Sequence, residues 1–217
     1  MEPILKTSVD CVIVANGEFP KHPLPLSVLK SGVPVIACDG AVNKLLNHGI
    51  EPDYIVGDLD SISTRINDRF MGRVYHNPDQ ETNDLTKSVR FASSRGFRRV
   101  AILGATGIRE DHTLANISLL AMYISELDSV EMITDYGVFK AITRSTRFES
   151  FKKQKISIFS LPPLVSVSVS NLKYPILNRE LPVWWEGSLN ESIGDYFDID
   201  ISGEGLLIIY AVHKDIL

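Results

Sequence analysis

Short apolar runs alternate with amphipathic stretches over the first two thirds of the chain. The runs have the length of buried β-strands, and they lie at residues 10–15, 33–38, 54–57, 73–76, 99–103 and 130–134. Two of the intervening stretches repeat apolar residues at helical spacing, with Leu85, Val89 and Ala92 in one and Leu114, Ile117, Ala121 and Ile124 in the other. This alternation predicts a mainly parallel sheet in a Rossmann-like α/β/α domain, with both apolar helix faces packed on the sheet.

The pattern changes to period two after about residue 136. The alternating or apolar segments lie at 156–158, 165–169, 197–201 and 206–212. Alternation of this kind is typical of antiparallel strands with one buried face, so it predicts a small C-terminal antiparallel β-sandwich domain. We place the boundary within 136–145 and expect domains at 1–140 and 141–217.

Composition and charge exclude several classes of protein. A net charge of −5 without any basic run argues against a general nucleic-acid binder, which needs clustered Lys and Arg. No apolar stretch approaches the roughly 20 residues that span a bilayer, and the N-terminal residues do not resemble a secretory signal. Cys11 and Cys38 are too few for a disulfide framework or a cysteine zinc site. We expect a cytoplasmic protein with buried thiols and with neither a membrane nor a nucleic-acid partner.

Acidic side chains follow the predicted strands of the first domain. They are Asp39, Asp58, Asp60, Asp79, Asp84 and Asp111. Because the carboxyl ends of parallel strands open into one crevice, we expect these residues to converge there. Carboxylates that share a crevice repel one another unless a cation offsets their charge, and Mg²⁺ prefers such oxygen ligands. The pair Asp58 and Asp60 suits this role if the strand gives way to a turn between them.

Several of these residues also have a purely structural interpretation. A single aspartate after a strand is usually a turn residue or a helix cap, and Asp111 opens a predicted helix. Gly104 either lets backbone N–H groups approach a phosphate, with Arg109 as a matching donor, or is only a turn glycine. Lys87 either contacts phosphate or is a solvated helix lysine. His112 has no second histidine or cysteine at ligand spacing, which favours a non-ligand role.

Four motifs of the first domain closely resemble those of the thiamine pyrophosphokinase family. They are CDGA at 38–41, PDYIVGDLDSI at 52–62, DQETNDLTKSV at 79–89 and LGATGIREDH at 103–112. Their order and spacing also match, and NLKYPILN (171–178) and WWEGSLNES (184–192) resemble the thiamine-side motifs of that family. The resemblance covers nearly the whole chain. It implies transfer of a diphosphate from ATP to the hydroxyl of thiamine, which gives thiamine diphosphate and AMP.

The resemblance also implies roles for single residues. It assigns the cofactor Mg²⁺ to Asp58, Asp60 and Asp84. Arg109 and Asp111 complete the expected catalytic set, and Asp111 orients either Arg109 or the thiamine hydroxyl. The residues expected to contact nucleotide, phosphate or thiamine are Asp39, Gln80, Asn83, Thr86, Lys87, Gly104, Tyr174, Ser188 and Asn190.

Two positions depart from the family pattern. Tyr174 stands where many members carry tryptophan, and Leu59 lies between the paired aspartates where phenylalanine is also common. Neither change removes a charge, and the aromatic face offered to the thiamine cation is that of Tyr174, or else of Trp184 or Trp185. The resemblance further implies a homodimer in which thiamine-side residues of one chain complete the aspartate crevice of the other.

Three alternative functions remain open at this point. The segment IVGDLDSI is similar to the nucleophile strand of haloacid-dehalogenase-type phosphatases, but Ser61 and Ile62 depart from the D-x-D-G-T/S pattern of that family. Metal-dependent glycosyltransferases also use D-x-D, but they are usually larger and lack the DQETND companion. A non-catalytic nucleotide or thiamine sensor is expected to lose a metal carboxylate, and all three are present. Products formed from MgATP and thiamine distinguish these alternatives.

Overall fold

The structure is a computed structural model that describes residues 3–5 and 8–216. Within these residues the chain forms two compact units. The first unit is Ser8–Asp135, and the second consists of residues 3–5 and 136–216. None of the helices in the described part of the chain has the length and apolar content needed to cross a membrane.

The first unit alternates strands with helices, as the apolar pattern predicts. Its elements are β1 (Cys11–Val14), α1 (Pro23–Leu29), β2 (Val35–Cys38), α2 (Ala41–Asn47), β3 (Tyr54–Gly57), α3 (Thr64–Arg69), β4 (Val74–His76), α4 (Asp84–Ser94), β5 (Arg99–Leu103), α5 (Glu110–Tyr123) and β6 (Ser129–Ile133). All six predicted strands of this domain are confirmed. The short helices α1, α2 and α3 were not predicted, because six or seven residues are too few to show a clear helical period.

The six strands of the first unit lie parallel in the order β6-β5-β1-β2-β3-β4. Val12 in the central strand β1 pairs with Val35 on one side and with Ala101 on the other. β1 and β2 are buried along their whole length, as expected for a parallel sheet covered on both faces. The chain runs outward from β1 to β4 and then returns to β5 beside β1. A crevice therefore opens at the carboxyl ends of β1 and β5.

The buried face of helix α5 matches the predicted one only in part. Ile117, Leu120 and Tyr123 are buried, whereas Leu114, the first residue of the predicted face, is 55% exposed. The prediction was wrong at Leu114, which lies near the start of the helix. The predicted face of α4 is confirmed, since Leu85, Val89 and Ala92 are all buried.

The second unit is built of antiparallel strands. They are β7 (Gly137–Ile142), β8 (Thr146–Glu149), β9 (Lys155–Leu161), β10 (Ser166–Ser170), β11 (Ile176–Arg179), β12 (Asn190–Glu191), β13 (Tyr196–Ser202) and β14 (Leu206–Val212). Within this unit β12-β9-β14-β7 pair in one sheet and β11-β10-β13-β8 in another. Ile156 and Ile158 are buried in the first of these sheets, and Phe197 and Ile199 in the second.

An α/β domain followed by an antiparallel β domain is the fold class that the sequence predicts, and it is confirmed. The predicted limit between residues 140 and 141 falls inside strand β7, while the first unit ends at Asp135.

Candidate active site

The crevice at the carboxyl ends of the first unit's strands holds a cavity of about 330 Å³. Its walls come from the segments that follow β1, β2, β3 and β5 and from the first turns of α4 and α5. The charged groups that line it include those of Asp39, Asp58, Asp60, Asp84 and Arg109. Four of the six predicted acidic residues therefore meet in this cavity. Asp79 and Asp111 lie outside its lining.

Asp39 is the buried carboxylate of the crevice. It follows β2 with a left-handed φ of 39°, and its backbone N–H donates to Val56 O at 2.9 Å. Asp39 is 4% exposed, and its Oδ1 has no hydrogen-bond partner among the described residues. Burial raises the pKa of the Asp39 carboxyl, although the Ser61 hydroxyl and the Gly40 N–H oppose that rise. A buried, unpaired carboxylate oxygen is unfavourable, so a cation beside it would be stabilising.

The turn between Asp58 and Asp60 brings both carboxylates to Asp39. Strand β3 ends at Gly57, and Leu59 adopts a left-handed φ of 66°. Carboxylate oxygens of the three aspartates lie within 4.8 Å of one another as a result. The end of the strand that the D-x-D pattern requires is therefore confirmed.

A hard divalent cation fits this group of oxygens. Mg²⁺ binds carboxylate oxygens at about 2.0–2.1 Å, so neighbouring oxygens of one octahedral shell lie roughly 3 Å apart. The carboxylate oxygens of the three aspartates lie within 4.8 Å of one another, so they would need to draw closer by at most about 2 Å to reach that separation. A bound cation would also give Asp39 Oδ1 the partner that it lacks within the described chain.

Asp84, the third predicted metal ligand, is paired with Lys87. The Lys87 ammonium donates to Asp84 Oδ1 at 3.0 Å and lies 3.7 Å from Asp58 Oδ2. Lys87 is 3% exposed, which excludes the alternative of a solvated helix lysine. Burial lowers the pKa of the Lys87 ammonium, but Asp84 and Asp58 outweigh that effect and raise it. Burial likewise raises the pKa of Asp58, but the Asp60 N–H, the Gln80 amide and Lys87 outweigh it and lower the pKa.

Gly57 allows the carboxylates to approach one another. A Cβ at this position would lie 2.7 Å from Asp39 Cβ and 3.1 Å from Asp84 Oδ1. A larger side chain would therefore push Asp39 and Asp84 apart. This role was not predicted from the sequence, although a glycine at the end of a predicted strand can signal close approach of other groups.

The start of α4 and the loop before it carry several of the residues predicted to contact substrate. Asn83 lines the cavity and caps the helix, because its side-chain oxygen accepts the Thr86 N–H at 2.9 Å. Thr86 itself is buried, and its hydroxyl shares a 2.8 Å hydrogen bond with the Tyr123 hydroxyl of α5. Gln80 lies before the helix and donates a long 3.4 Å hydrogen bond to Asp58 Oδ2.

The segments after β1 and β5 interlock to form one wall of the cavity. Gly17 N–H donates to Gly104 O at 2.7 Å, and Gly104 has a left-handed φ of 63°. The Lys44 ammonium donates to the backbone oxygens of Asn16 at 2.7 Å and Gly17 at 2.6 Å. Gly104 thus allows the two segments to pack closely where they cross, while Asn16 and Gly17 line the cavity. Sequence reasoning missed both, because no charged motif follows β1.

The first turns of α5 supply the remaining polar wall. Arg109 lines the cavity, and its Nε donates to Asp111 Oδ1 at 3.0 Å within an ion pair. That hydrogen bond and the His112 N–H lower the pKa of Asp111 to about 2. Both side chains are more than half exposed, so the pair orients the guanidinium more than it stabilises the fold. His112 and Asn116 also line the cavity, and Asn116 anchors the wall by donating to Ala105 O at 2.8 Å.

Asn116 is a further site residue that the sequence analysis missed. His112 and Asn116 lie four residues apart on one face of α5, just after Arg109, and this spacing was the available signal.

The predicted thiamine-side residues lie in the second unit, around the short strand β12. Asn190 is buried there, where it donates to Tyr174 O at 2.6 Å and accepts the Tyr174 N–H at 3.0 Å. It thereby fixes the backbone of Tyr174, which is itself 58% exposed. Ser188 is partly exposed and donates to Trp185 O at 2.8 Å. Trp185 is also exposed, whereas Trp184 donates its indole N–H to a carbonyl of β9 at 3.2 Å.

Comparisons with known proteins give the same family for both units. The model of the thiamin pyrophosphokinase catalytic domain matches residues 27–132, and that of the thiamin pyrophosphokinase substrate-binding domain matches residues 137–210. Thiamin pyrophosphokinase 1 of Caenorhabditis elegans is 31% identical over 160 residues, which cover 67% of this chain and 65% of that protein. Thiamine pyrophosphokinase 1 of Oryza sativa subsp. japonica is 32% identical over 153 residues, 59% of this chain and 57% of that protein. The matches thus span less than two thirds of these relatives.

A solved structure, thiamin pyrophosphokinase from Candida albicans, has the same fold. It superposes with a TM-score of 0.80 at 18% identity and covers 94% of this chain and 90% of that chain. At this identity the likeness concerns the fold alone. The matched catalytic domain, in contrast, includes every carboxylate that lines the cavity. Because the two domain models match in sequence order and together take in most of both units, this chain belongs to the thiamin pyrophosphokinase family.

Proposed function

We propose that this chain transfers the diphosphate group of ATP to the hydroxyl of thiamine, in a Mg²⁺-dependent reaction that gives thiamine diphosphate and AMP. The observation that carries the proposal is the group of four aspartates around one cavity of about 330 Å³, within the matched catalytic domain. The crevice at the switch point of a parallel sheet is where nucleotides bind in such folds. In this proposal the first domain, up to about residue 140, binds MgATP, and the second domain binds thiamine.

In the proposed site Asp58, Asp60 and Asp84 hold Mg²⁺, and Asp39 adds a fourth carboxylate. Bound Mg²⁺ supplies positive charge to the oxygens of the polyphosphate. The geometry supports Asp58 and Asp60 more directly than Asp84. Carboxylate oxygens of Asp39, Asp58 and Asp60 already lie within 4.8 Å of one another. Asp84 borders the same cavity but is held by Lys87.

The proposed reaction exchanges one bond at the β-phosphorus of ATP. The oxygen of the thiamine hydroxyl bonds to this phosphorus, and the bond from the phosphorus to the oxygen it shares with the α-phosphorus breaks. AMP leaves with that electron pair, and the hydroxyl proton passes to a carboxylate of the crevice or to solvent. Positioning and charge neutralisation carry most of the catalysis in such transfers. Arg109, oriented by Asp111, offsets negative charge on the phosphate oxygens in the transition state.

Incubation of the purified chain with thiamine and MgATP tests this function. We expect AMP and thiamine diphosphate in equal amounts, and no product when EDTA removes the divalent ion. Asp60→Asn should stop the reaction, whereas Asp68→Asn, an equal charge change at an exposed position of α3, should not. Accumulation of ADP with thiamine monophosphate, or release of inorganic phosphate without a thiamine product, would overturn the proposal.

We further propose a homodimer in which the thiamine-side residues of one chain complete the crevice of the other. The second unit exposes Leu177, Trp185 and Leu189 by more than 70% each, close in sequence to Tyr174 and Ser188. Large apolar side chains grouped in this way favour a surface that another chain covers. The exposed ring of Tyr174 would offer an aromatic face to the thiamine cation.

Subunit complementation tests the shared site. Asp60→Asn chains are mixed with chains that carry both Tyr174→Ala and Ser188→Ala. Asn190 is left unchanged because it holds the Tyr174 backbone. With shared sites each mixed dimer has one intact site, so random exchange should restore about a quarter of wild-type activity. No recovery, with exchange confirmed by native mass spectrometry, would contradict the shared site.

A further inference from the structure

A buried lysine contacts the carboxylates of the crevice and does not line the cavity between them. Lys87 lies on α4, three residues after Asp84, so the helix places both side chains on one side. Its ammonium contacts Asp84 Oδ1 at 3.0 Å and Asp58 Oδ2 at 3.7 Å. Lys87 is not part of the cavity lining, whereas both of its partners are. A lysine that binds phosphate would instead be expected to expose its ammonium to the cavity.

We propose that Lys87 is a positioning residue, an internal counter-ion that neutralises Asp84, partly neutralises Asp58, and thereby limits the affinity of the crevice for divalent cations. The proposal rests on the metal site of the proposed function and adds to it a residue that sets how tightly the ion is held.

The ammonium divides the four carboxylates of the crevice into two groups. Asp39, Asp58 and Asp60 bring their oxygens within 4.8 Å of one another, and Asp84 has Lys87 as its partner. Asp58 belongs to both groups, since its Oδ2 lies near the ammonium. The positive charge of Lys87 would therefore repel a divalent ion bound by Asp58, because only one carboxylate group would lie between them.

Removal of this charge should tighten divalent binding. The side chain of methionine has a similar length but no charge, so Lys87→Met keeps all four carboxylates and deprives Asp84 and Asp58 of their only buried ammonium contact within the described residues. Repulsion between a unit charge and a divalent ion across one carboxylate corresponds to on the order of tenfold in affinity, even at the dielectric constant of water. A lysine with a merely structural role would give the opposite result, because a loosened site binds metal less tightly.

Binding of Mn²⁺ alone, without nucleotide, provides the test. Free Mn²⁺ is measured by electron paramagnetic resonance as it is titrated into the wild type, Lys87→Met and Lys30→Met. Lys30 ends α1 at an exposed position and controls for the loss of one lysine charge from the first unit. We expect Lys87→Met to bind Mn²⁺ about tenfold more tightly than the wild type, and Lys30→Met to match the wild type. Equal or weaker Mn²⁺ binding by folded Lys87→Met would overturn the proposal.

A second pair of variants covers the case in which Lys87→Met does not fold. Loss of one partner of a buried ion pair destabilises a protein more than loss of both, so Asp84→Asn with Lys87→Met should fold. This double variant should bind Mn²⁺ about tenfold more tightly than Asp84→Asn alone, in which the ammonium remains beside Asp58. Equal affinities within this pair would overturn the proposal. If the wild type binds no Mn²⁺, the metal site of the proposed function fails first, and the counter-ion role fails with it.

Discussion

Gly57→Ala is the substitution that most directly probes how closely the crevice carboxylates are packed. Gly57 ends β3 and is not among the glycines with positive φ, so its backbone conformation suits alanine. The added methyl group would lie 2.7 Å from Asp39 Cβ, where ordinary contact begins at 3.4 Å. Asp39 must therefore move by about 0.7 Å relative to β3, and Asp84, whose Oδ1 would lie 3.1 Å away, must adjust as well.

The size of this displacement sets the expected effects on stability and on catalysis. Overpacking of a buried position lowers the free energy of unfolding by about 1–3 kcal/mol. A chain of this length loses about 2–4 °C of melting temperature per kcal/mol. A misplacement of about 1 Å in a catalytic site can cost on the order of 100-fold in rate. We therefore expect kcat/KM for thiamine diphosphate formation to fall by roughly 10- to 100-fold.

The assay combines steady-state AMP formation with calorimetric melting, each measured on Gly57→Ala and on Gly194→Ala. A Cβ added to Gly194 meets no atom within 4 Å, and its φ is not positive, so this control should behave as the wild type. Gly57→Ala with wild-type kcat/KM and an unchanged melting temperature would refute the reasoning, because Asp39 and Asp84 would then not be confined by β3.

Three further predictions concern charge, acid stability and thiol reactivity. Asp60→Asn should hold or raise the melting temperature in EDTA, because it removes one charge from the repelling group; a clear fall would contradict this. The pKa of Asp10 is lowered from 3.8, chiefly by the hydrogen bond from Arg99, so its stabilising effect is complete above that value and is lost as the pH falls through the lower folded-state pKa. Asp10→Asn should reduce the free energy of unfolding by roughly 1–2 kcal/mol at neutral pH and lose less than the wild type on acidification. Urea denaturation of the wild type and of Asp10→Asn over a range of pH measures both free energies of unfolding. Parallel pH profiles for the two proteins would contradict the role given to Asp10. Burial raises the pKa of the Cys11 and Cys38 thiols to about 12, so a disulfide reagent at mildly alkaline pH should label both slowly in the folded chain, and rapid labelling would refute their burial.

The strands and loops that form the crevice could be predicted from the sequence, because they depend on patterns of neighbouring residues. Continuous apolar runs identify buried parallel strands, and the end of each strand fixes which residue reaches the carboxyl edge. Asp39, Asp58 and Asp60 each follow a predicted strand directly or within a few residues, and all three meet in the structure. The D-x-D pattern suited a metal site only if a turn separated the two aspartates, and the positive φ of Leu59 shows that turn.

Contacts between side chains from different elements could not be predicted in this way. The spacing of Asp84 and Lys87 showed that they share a helix face, but not that the face is buried against Asp58. Asn190 is polar in sequence like a ligand residue, yet its amide is used to hold the Tyr174 backbone. Leu114 fits the apolar period of α5 but is 55% exposed. Each case depends on which element lies opposite, and periodicity along one chain does not contain that information.

The fate of each phosphorus atom of ATP is the most direct test of the proposed diphosphate transfer. ATP that carries radioactive phosphorus at the γ-position, and in a separate reaction at the α-position, is incubated with the purified chain, thiamine and Mg²⁺. The account predicts that the γ-label appears in thiamine diphosphate and the α-label in AMP. A γ-label found in thiamine monophosphate or in inorganic phosphate, with the α-label in ADP, would contradict it.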